Sequence, residues 1–392
     1  MLEYAGSQRS GRHAERGEGL AIVALVRSLD WLLLAGIGGL VAVGLWAVSG
    51  ATRFAIAHNP SYYVNRQIVY VVVGVIVLVV ALFVDTDLYR QYWRVIFWGT
   101  VGLIALVFLA GHAARGSTRW INVGFFTFQP SEFGKLAFVL ALAGCLASGT
   151  TVLRALGFGL IPVVLIFAQP DLGTALVYLA ALGAMLFVAG TPWKQLTVLG
   201  AIATLGAVAV LWIGPAFGVD FLKGYQKARL TCFVHPSKCS DRYTRYNLQQ
   251  SIVAVGAGQV YGRGVKNSTQ TNLNFLPEHG TDFVFASYSE QRGFVGASLL
   301  LALYLLVLWR ALRIVSIARD FYSAIVAGGI VVALLFQIFV NVGMTMGIAP
   351  ITGIPLPFVS VGGSSMIANL AAMGVLLSIH ARGKAARSRR RA

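Results

Sequence analysis

Residues 274–294 read NFLPEHGTDFVFASYSEQRGF, and they open a long apolar run with three acids, Glu278, Asp282 and Glu290. A carboxylate beside a membrane is costly unless the protein uses it. Pro277 and Gly280 break the backbone, which predicts a turn over 276–280. Thr281 or Asp282 then caps a helix that runs through Phe283, Val284 and Phe285. Asp282 is therefore expected on a loop tip at a helix N-terminus, where a plain capping role is one open reading.

Outward from that segment the chain is apolar. Of its 392 residues, 57% are hydrophobic and only 11% charged, with a mean hydropathy of +0.75; soluble domains carry about 25% charged residues. This excludes a soluble globular protein and predicts an all-α polytopic membrane protein. A span needs about 20 apolar residues, and about ten runs qualify, centred near Leu40, Val75, Leu103, Leu140, Val163, Leu179, Leu205, Leu303, Leu334 and Val375.

An even number of spans puts both termini on one side. Arg9, Arg12, Arg16 and Arg27 before the first run, with Arg382, Lys384, Arg387, Arg389, Arg390 and Arg391 after the last, place that side in the cytoplasm. The formal charge of +17 would suggest nucleic acid in a soluble protein. Here it reads as topology signals and contacts to anionic membrane lipid, and no nucleic acid is expected. Residues 1–28 are expected to form a disordered basic tail, 29–382 the transmembrane domain, and 383–392 a second basic tail. The first apolar run is long and lacks a small-residue cleavage site, so it is expected to remain as a helix.

Four other regions bear on function. In GSTRWINVGFFTFQPSEFGK, residues 116–135, Pro130 and Ser131 mark a helix start with Glu132 in its first turn and Lys135 one turn on, which alone is an ordinary start signal and ion pair. In AQPDLGTAL, residues 168–176, Pro170 interrupts the apolar stretch and Asp171 caps the helix that restarts. A long outer loop over about 215–289 is expected between helices seven and eight, with helical pieces at 224–230 and 246–264. In it Cys232 and Cys239 are either a local disulfide or two free thiols, and Gly262 and Gly264 are candidates for close approach of backbone to a phosphate. Residues 341–365 are broken by Pro350, Pro355, Pro357 and Gly362-Gly363, and irregular backbone at membrane depth survives only where protein or a watery cavity satisfies it. Asp85 and Asp87 are expected to pair with Arg90 and Arg94, and Cys145 to pack within a helix.

LPEHGTDFVF followed by EQRGFVG resembles the signature loop of the SEDS family (shape, elongation, division and sporulation proteins), the RodA branch in particular. The resemblance extends over about residues 30–382 through Arg119-Trp120-Ile121, Gln129-Pro130-Ser131-Glu132, QPDLGTA, and Gln250, Ser251, Gly256, Gly258, Gly262, Gly264, Thr269 and Gln270. It departs at the cysteine-bearing insert and at Val361, where the family usually has tyrosine.

That resemblance implies an integral-membrane glycosyltransferase that polymerises lipid II into peptidoglycan strands, for elongation and shape, at the outer face of the cytoplasmic membrane. It implies Asp282 as the catalytic base, acting on the acceptor's 4-hydroxyl, and substrate contacts from Arg119, Lys135, Gln129, Glu132, Gln169, Asp171, Glu278 and Gln270. Arginine suits a pyrophosphate by its bidentate fork and lysine as a point charge. Glu132, Asp171 and Asp282 are the expected ligands of a divalent cation, Mg²⁺ or Mn²⁺. A class B penicillin-binding protein is the expected partner. Two other readings stay open from the residues: a flippase for a lipid-linked precursor, and a non-catalytic scaffold of the cell-wall machinery.

Overall fold

Apolar runs in lipid must satisfy their backbone internally, which leaves the helix as the available form. Every predicted run centre falls inside a helix of the computed structural model, which describes residues 28–54, 56, 59–114, 117–124, 126–210, 224–234, 239 and 241–391. In chain order these are α1 (Trp31–Ala51), α2 (Tyr62–Phe83), α3 (Thr86–Gln91), α4 (Trp93–Ala110), α5 (Pro130–Ala147), α6 (Val152–Ala168), α7 (Leu172–Val188) and α8 (Trp193–Val208). They continue with α9 (Gly224–Val234), α10 (Arg242–Ala257), α11 (Gly264–Asn267), α12 (Thr269–Asn272), α13 (Val284–Ile317), α14 (Phe321–Thr345) and α15 (Gly363–Arg391). Six of them, α1, α2, α5, α13, α14 and α15, are long and apolar enough to cross a membrane, and α4, α6 and α7 are shorter apolar helices. Most of the predicted N-terminal tail, with Arg9, Arg12, Arg16 and Arg27, lies outside the described residues, as does Asp220. The predicted C-terminal tail is no separate piece, because α15 continues to Arg391.

The all-α expectation needs one correction. Between α4 and α5 the chain forms a three-stranded antiparallel sheet, β1 (His112–Ala114), β2 (Ser117–Val123) and β3 (Phe126–Phe128), in the order β1-β2-β3. Alternating β-branched and aromatic residues favour strands, and Gly124 takes φ 62° where the chain reverses. The register pairs Ile121 with Phe128, so Arg119 on β2 is carried back beside Gln129 at the start of α5.

The first segment read is also corrected. Neither Thr281 nor Asp282 caps α13: its N-cap is Phe283, with no side-chain hydrogen bond. The Thr281 hydroxyl instead donates back to Glu278 Oε2 at 2.9 Å. The helix breaks at Gly293, with φ 65° and ψ −165°. A break there frees the carbonyl of Glu290 and the N–H groups of Phe294 and Val295. The turn after α10 takes all three: Arg263 N donates to Glu290 O at 2.9 Å, Phe294 N to Gln259 O at 2.8 Å, and Val295 N to Val260 O at 3.0 Å. The predicted role for Gly262 is thereby replaced. A Cβ on Gly262 would stand 2.3 Å from Gln291 O, so the close approach is to another backbone and not to a phosphate. Glu290 is fully buried and braces the same region, accepting from the N–H groups of Gln270 (2.9 Å) and Thr271 (3.0 Å) and from the Thr271 hydroxyl (2.7 Å).

α15 packs along α2, with Gly74 against Leu370 and Gly374 against the Leu78 carbonyl, the small-residue contact that lets helices approach in a membrane. At the end of the bundle away from Asp282, Asp30 caps α1 through Leu33 N (3.1 Å) and takes a two-pronged contact from Arg310, Nε at 2.9 Å and Nη2 at 2.7 Å. Asp85 pairs with Arg382 and Asp87 with Arg319, not with the neighbouring Arg90 and Arg94 expected from sequence. Burial pushes the Asp85 carboxyl up, but the Asp87 N–H and the guanidinium groups of Arg382 and Arg319 outweigh it and hold the group below its ordinary value.

Of the two cysteine readings, the structure takes the disulfide: Cys232 at the end of α9 is joined to Cys239 just before α10. Closing so short a loop is worth about 2 kcal/mol on chain-entropy grounds. Cys232→Ser is expected to lower thermal stability by about that amount, with the shift reproduced by reductant on the parent protein. No change in melting temperature on either treatment would mean the bridge is not formed in solution.

Candidate active site

The N-termini of α2, α5, α7, α13 and α15 meet at one end of the bundle around a cavity of about 340 Å³. Converging N-termini present unpaired N–H groups and positive dipole ends, which favours an anion. Into this space α2 contributes Tyr63, Arg66 and Tyr70; the sheet contributes Arg119, Trp120 and Thr127; and Gln129 and Thr174 stand at the starts of α5 and α7. Glu278, Thr281 and Asp282 form one wall, Arg229 of α9 another, and the irregular stretch from Gly353 to Gly362, with the first turn of α15, the floor. Three guanidinium groups against two carboxylates leave the lining positive.

Each charged group is positioned by a definite partner. Arg119 reaches Asp171 Oδ1 through Nη1 at 3.5 Å and donates Nη2 to the Pro170 carbonyl, so the QPD turn orients it. Arg66 donates Nη1 to Tyr62 OH (2.8 Å) and Nε to Tyr70 OH (3.2 Å), one helical turn on either side of it. Arg229 donates Nη1 to Thr352 O at 3.1 Å. A Cβ built on Gly353, which has φ 75°, would lie 3.3 Å from Asp282 Oδ2 and 3.6 Å from Arg229 Nη1. The methyl would press on the carboxylate and make ordinary contact with the arginine. Gly353→Ala is expected to cost about 1 kcal/mol through the positive φ and to lower turnover several-fold by shifting the Asp282 carboxylate. A melt and a rate on the same preparation check this, and an unchanged rate refutes the packing argument.

The site residues expected from sequence divide into two sets. Asp282, Arg119, Gln129 and Glu278 are brought together around the cavity. Asp171 stands behind Arg119, capping α7 through Thr174 N (3.1 Å) and Thr174 Oγ1 (2.9 Å). Lys135, Glu132, Gln169 and Gln270 do not line the cavity. Lys135 Nζ is held by Glu132 Oε2 (2.8 Å) and Gln337 Oε1 (3.0 Å) beside a separate space of about 30 Å³. Gln169 Nε2 donates to Ile104 O at 2.7 Å, and Gln270 contributes its backbone N–H to Glu290. His279 is a loop residue, its Nδ1 2.8 Å from Leu276 O.

The expected metal set is not gathered. Glu132 is spent on Lys135 and Asp171 on Thr174 and Arg119. Among the described residues no three His, Cys, Asp or Glu side chains are placed to hold an ion. Glu132, Asp171 and Asp282 therefore do not form the common ligand set expected of them.

Sequence reading missed Arg66, Arg229 and Gly353. Arg66 was findable: it is a cation inside an apolar run, flanked by Tyr62 and Tyr70 at helical spacing, and an ionisable residue in such a run is a functional candidate by default. Arg229 carried no such signal, because only the fold of the long loop brings α9 over the cavity.

Comparison with known proteins places the chain in a family. The profile of the FTSW_RODA_SPOVE family, described as cell cycle protein, matches residues 27–385. The chain is 33% identical to the peptidoglycan glycosyltransferase RodA of Treponema pallidum, over 91% of this chain and 98% of that one. It is 34% identical to the stage V sporulation protein E of Bacillus subtilis, over 89% and 94%. Among solved structures it is similar to a chain of a peptidoglycan synthase complex that coordinates polymerization and crosslinking, with TM-score 0.75, 29% identity and coverage of 91% and 98%. It is also similar to the rod shape determining protein RodA of Thermus thermophilus, with TM-score 0.66, 29% identity and coverage of 90% and 96%.

Proposed function

Because the chain belongs to the FTSW_RODA_SPOVE family of cell cycle proteins, we propose that it is a peptidoglycan glycosyltransferase that polymerises lipid II, with Asp282 as its general base. One observation carries the reading: a carboxylate and three arginines share a cavity at which five helix N-termini converge.

The reaction has two electrostatic needs. The acceptor's 4-hydroxyl must lose its proton as its oxygen bonds to the donor's anomeric carbon, and the bond from that carbon to the polyprenyl pyrophosphate must break. Asp282 accepts the proton. Arg66, Arg119 and Arg229, with the helix N-termini, receive the charge that develops on the departing pyrophosphate. With Asp282 acting as base on the acceptor and not as nucleophile on the donor, the route we favour is a direct inverting displacement. No step is routed through Mg²⁺ or Mn²⁺, since Glu132, Asp171 and Asp282 do not form a common ligand set.

This reading puts about ten spans in the cytoplasmic membrane, with both termini inside and the cavity facing out. The basic residues at the end away from Asp282 support that orientation: Arg310, Arg313, Arg319, Arg382, Lys384 and Arg387. A class B penicillin-binding protein is the partner that would crosslink the strands made here, and the similarity to a chain of a complex coordinating polymerization with crosslinking favours it. The role we favour is elongation and shape.

The test is purified protein with labelled lipid II in detergent and in proteoliposomes. Glycan polymer in both preparations supports the enzyme. Movement of lipid II across the bilayer with no polymer would support a flippase instead, and neither outcome in the presence of the partner would leave a scaffold.

A further inference from the structure

We infer that Asn341, on α14, is a positioning residue that sets the direction of the Asp282 carboxylate. This rests on the reading of Asp282 as the base.

Within the loop carrying Asp282, Thr281 N and Phe283 N both donate to Glu278 O at 3.1 Å, and three successive carbonyls in it are each engaged from elsewhere. Gly280 O accepts from Val361 N at 2.9 Å, Thr281 O from Ser360 Oγ at 2.5 Å, and Asp282 O from Asn341 Nδ2 at 2.9 Å. The first two donors belong to the irregular segment on the cavity floor. Only the third, at the residue that matters, comes from a long helix.

The same nitrogen also donates to Ile354 O at 2.7 Å. Ile354 follows Gly353, the residue against which Asp282 Oδ2 rests. One side chain thus fixes both the backbone of the base and the wall its carboxylate leans on. The geometry admits only the amide nitrogen here: it has two protons for two carbonyls, whereas an amide oxygen would face them with lone pairs. Asn341 is fully buried, its Oδ1 has no hydrogen-bond partner among the described residues, and it does not line the cavity. All of its polar work is therefore done on these two carbonyls, and none on substrate.

One turn earlier Gln337 repeats the arrangement. Its Nε2 donates to Pro355 O at 3.0 Å while its Oε1 accepts from Lys135 at 3.0 Å. α14 thus presents a ladder of amides to the floor of the cavity. The Glu132–Lys135 pair stands at the far end of that ladder.

Two variants with the heavy-atom count and branching of asparagine test the inference. Asn341→Leu removes both donors, and Asn341→Asp removes them when ionised. Displacing a reacting group by about 1 Å costs about 10²-fold in rate. Both variants are expected to lose about that much in kcat for lipid II polymerisation, while KM stays within about threefold because the arginines that bind substrate are untouched. Rates are taken per folded protein, from the monodisperse fraction. Val331→Ala, which cuts a cavity in the core on the same helix, is expected to lower the melting temperature and leave kcat alone.

A wild-type kcat in Asn341→Leu overturns the inference, as does an equal kcat loss in Val331→Ala or a loss confined to KM. Asp282→Asn measured alongside separates the two readings. If that variant stays active, the base assignment fails first; if it is dead while Asn341→Leu is unaffected, only the positioning role fails.

Discussion

Asp282→Asn is expected to reduce lipid II polymerisation by roughly 10² to 10⁴-fold, the usual worth of a positioned general base. The substitution keeps size and shape and removes only the ability to take a proton. Its backbone remains tied through Asp282 O to Asn341 (2.9 Å), and the arginines lining the cavity are unchanged, so substrate affinity is expected to hold within a few fold. The loss should therefore fall on kcat. Asp282→Glu is the sharper control: it retains the charge but moves it by a methylene, and a misplacement of about 1 Å is worth about 10²-fold. An asparagine variant that polymerises as fast as the parent would remove Asp282 from the chemistry and leave it as a loop residue beside a basic cavity.

Gly293→Ala is expected to remove most of the folded protein. Gly293 sits at φ 65° and ψ −165°, a region open in practice to glycine alone and costing a side chain about 1–3 kcal/mol. Space forbids the methyl as well: a Cβ there would stand 2.3 Å from Gly262 N and 2.5 Å from Val260 O, both backbone atoms of the crossing turn. Forcing them apart breaks the Phe294–Gln259 and Val295–Val260 bonds that tie the two segments together. Against a total stability of about 5–15 kcal/mol this is a large fraction. The measurement is the yield of monodisperse protein in detergent and its melting temperature. Gly256→Ala serves as the comparison, since a Cβ on Gly256 meets nothing within 4 Å, and it is expected to behave as the parent. Equal behaviour of the two variants would show that the crossing is not tight.

Much of this protein was legible in one dimension because a membrane imposes local rules. A helix in lipid satisfies its own backbone, so apolar length alone located the helices, and Pro130 and Asp171 marked starts that the structure keeps, Pro130 within the first turn of α5 and Asp171 as the cap of α7. Residues 341–365 were read as broken backbone that a cavity or protein must satisfy, and of these Gly353, Pro355 and 361–365 line the cavity while 341–352 do not.

Partner identity was not local. Gly262 was read rightly as a point of close approach, but what approaches it comes from residues 291–293 across the fold. Glu132, Lys135 and Asp282 were expected in one site because the family resemblance implies it. Only packing decided that Lys135 points toward Gln337 while Arg66 and Arg229, more than 150 residues apart in the chain, face Asp282 instead. By itself the sequence determined that the chain is a helical membrane protein with an acid on a tip beside broken backbone, since burial of apolar length and backbone satisfaction are counted residue by residue. The tertiary structure alone decided which cations share that acid's cavity and which amide steers it, since a hydrogen bond of 3 Å between distant residues depends on how helices pack and leaves no periodicity to read.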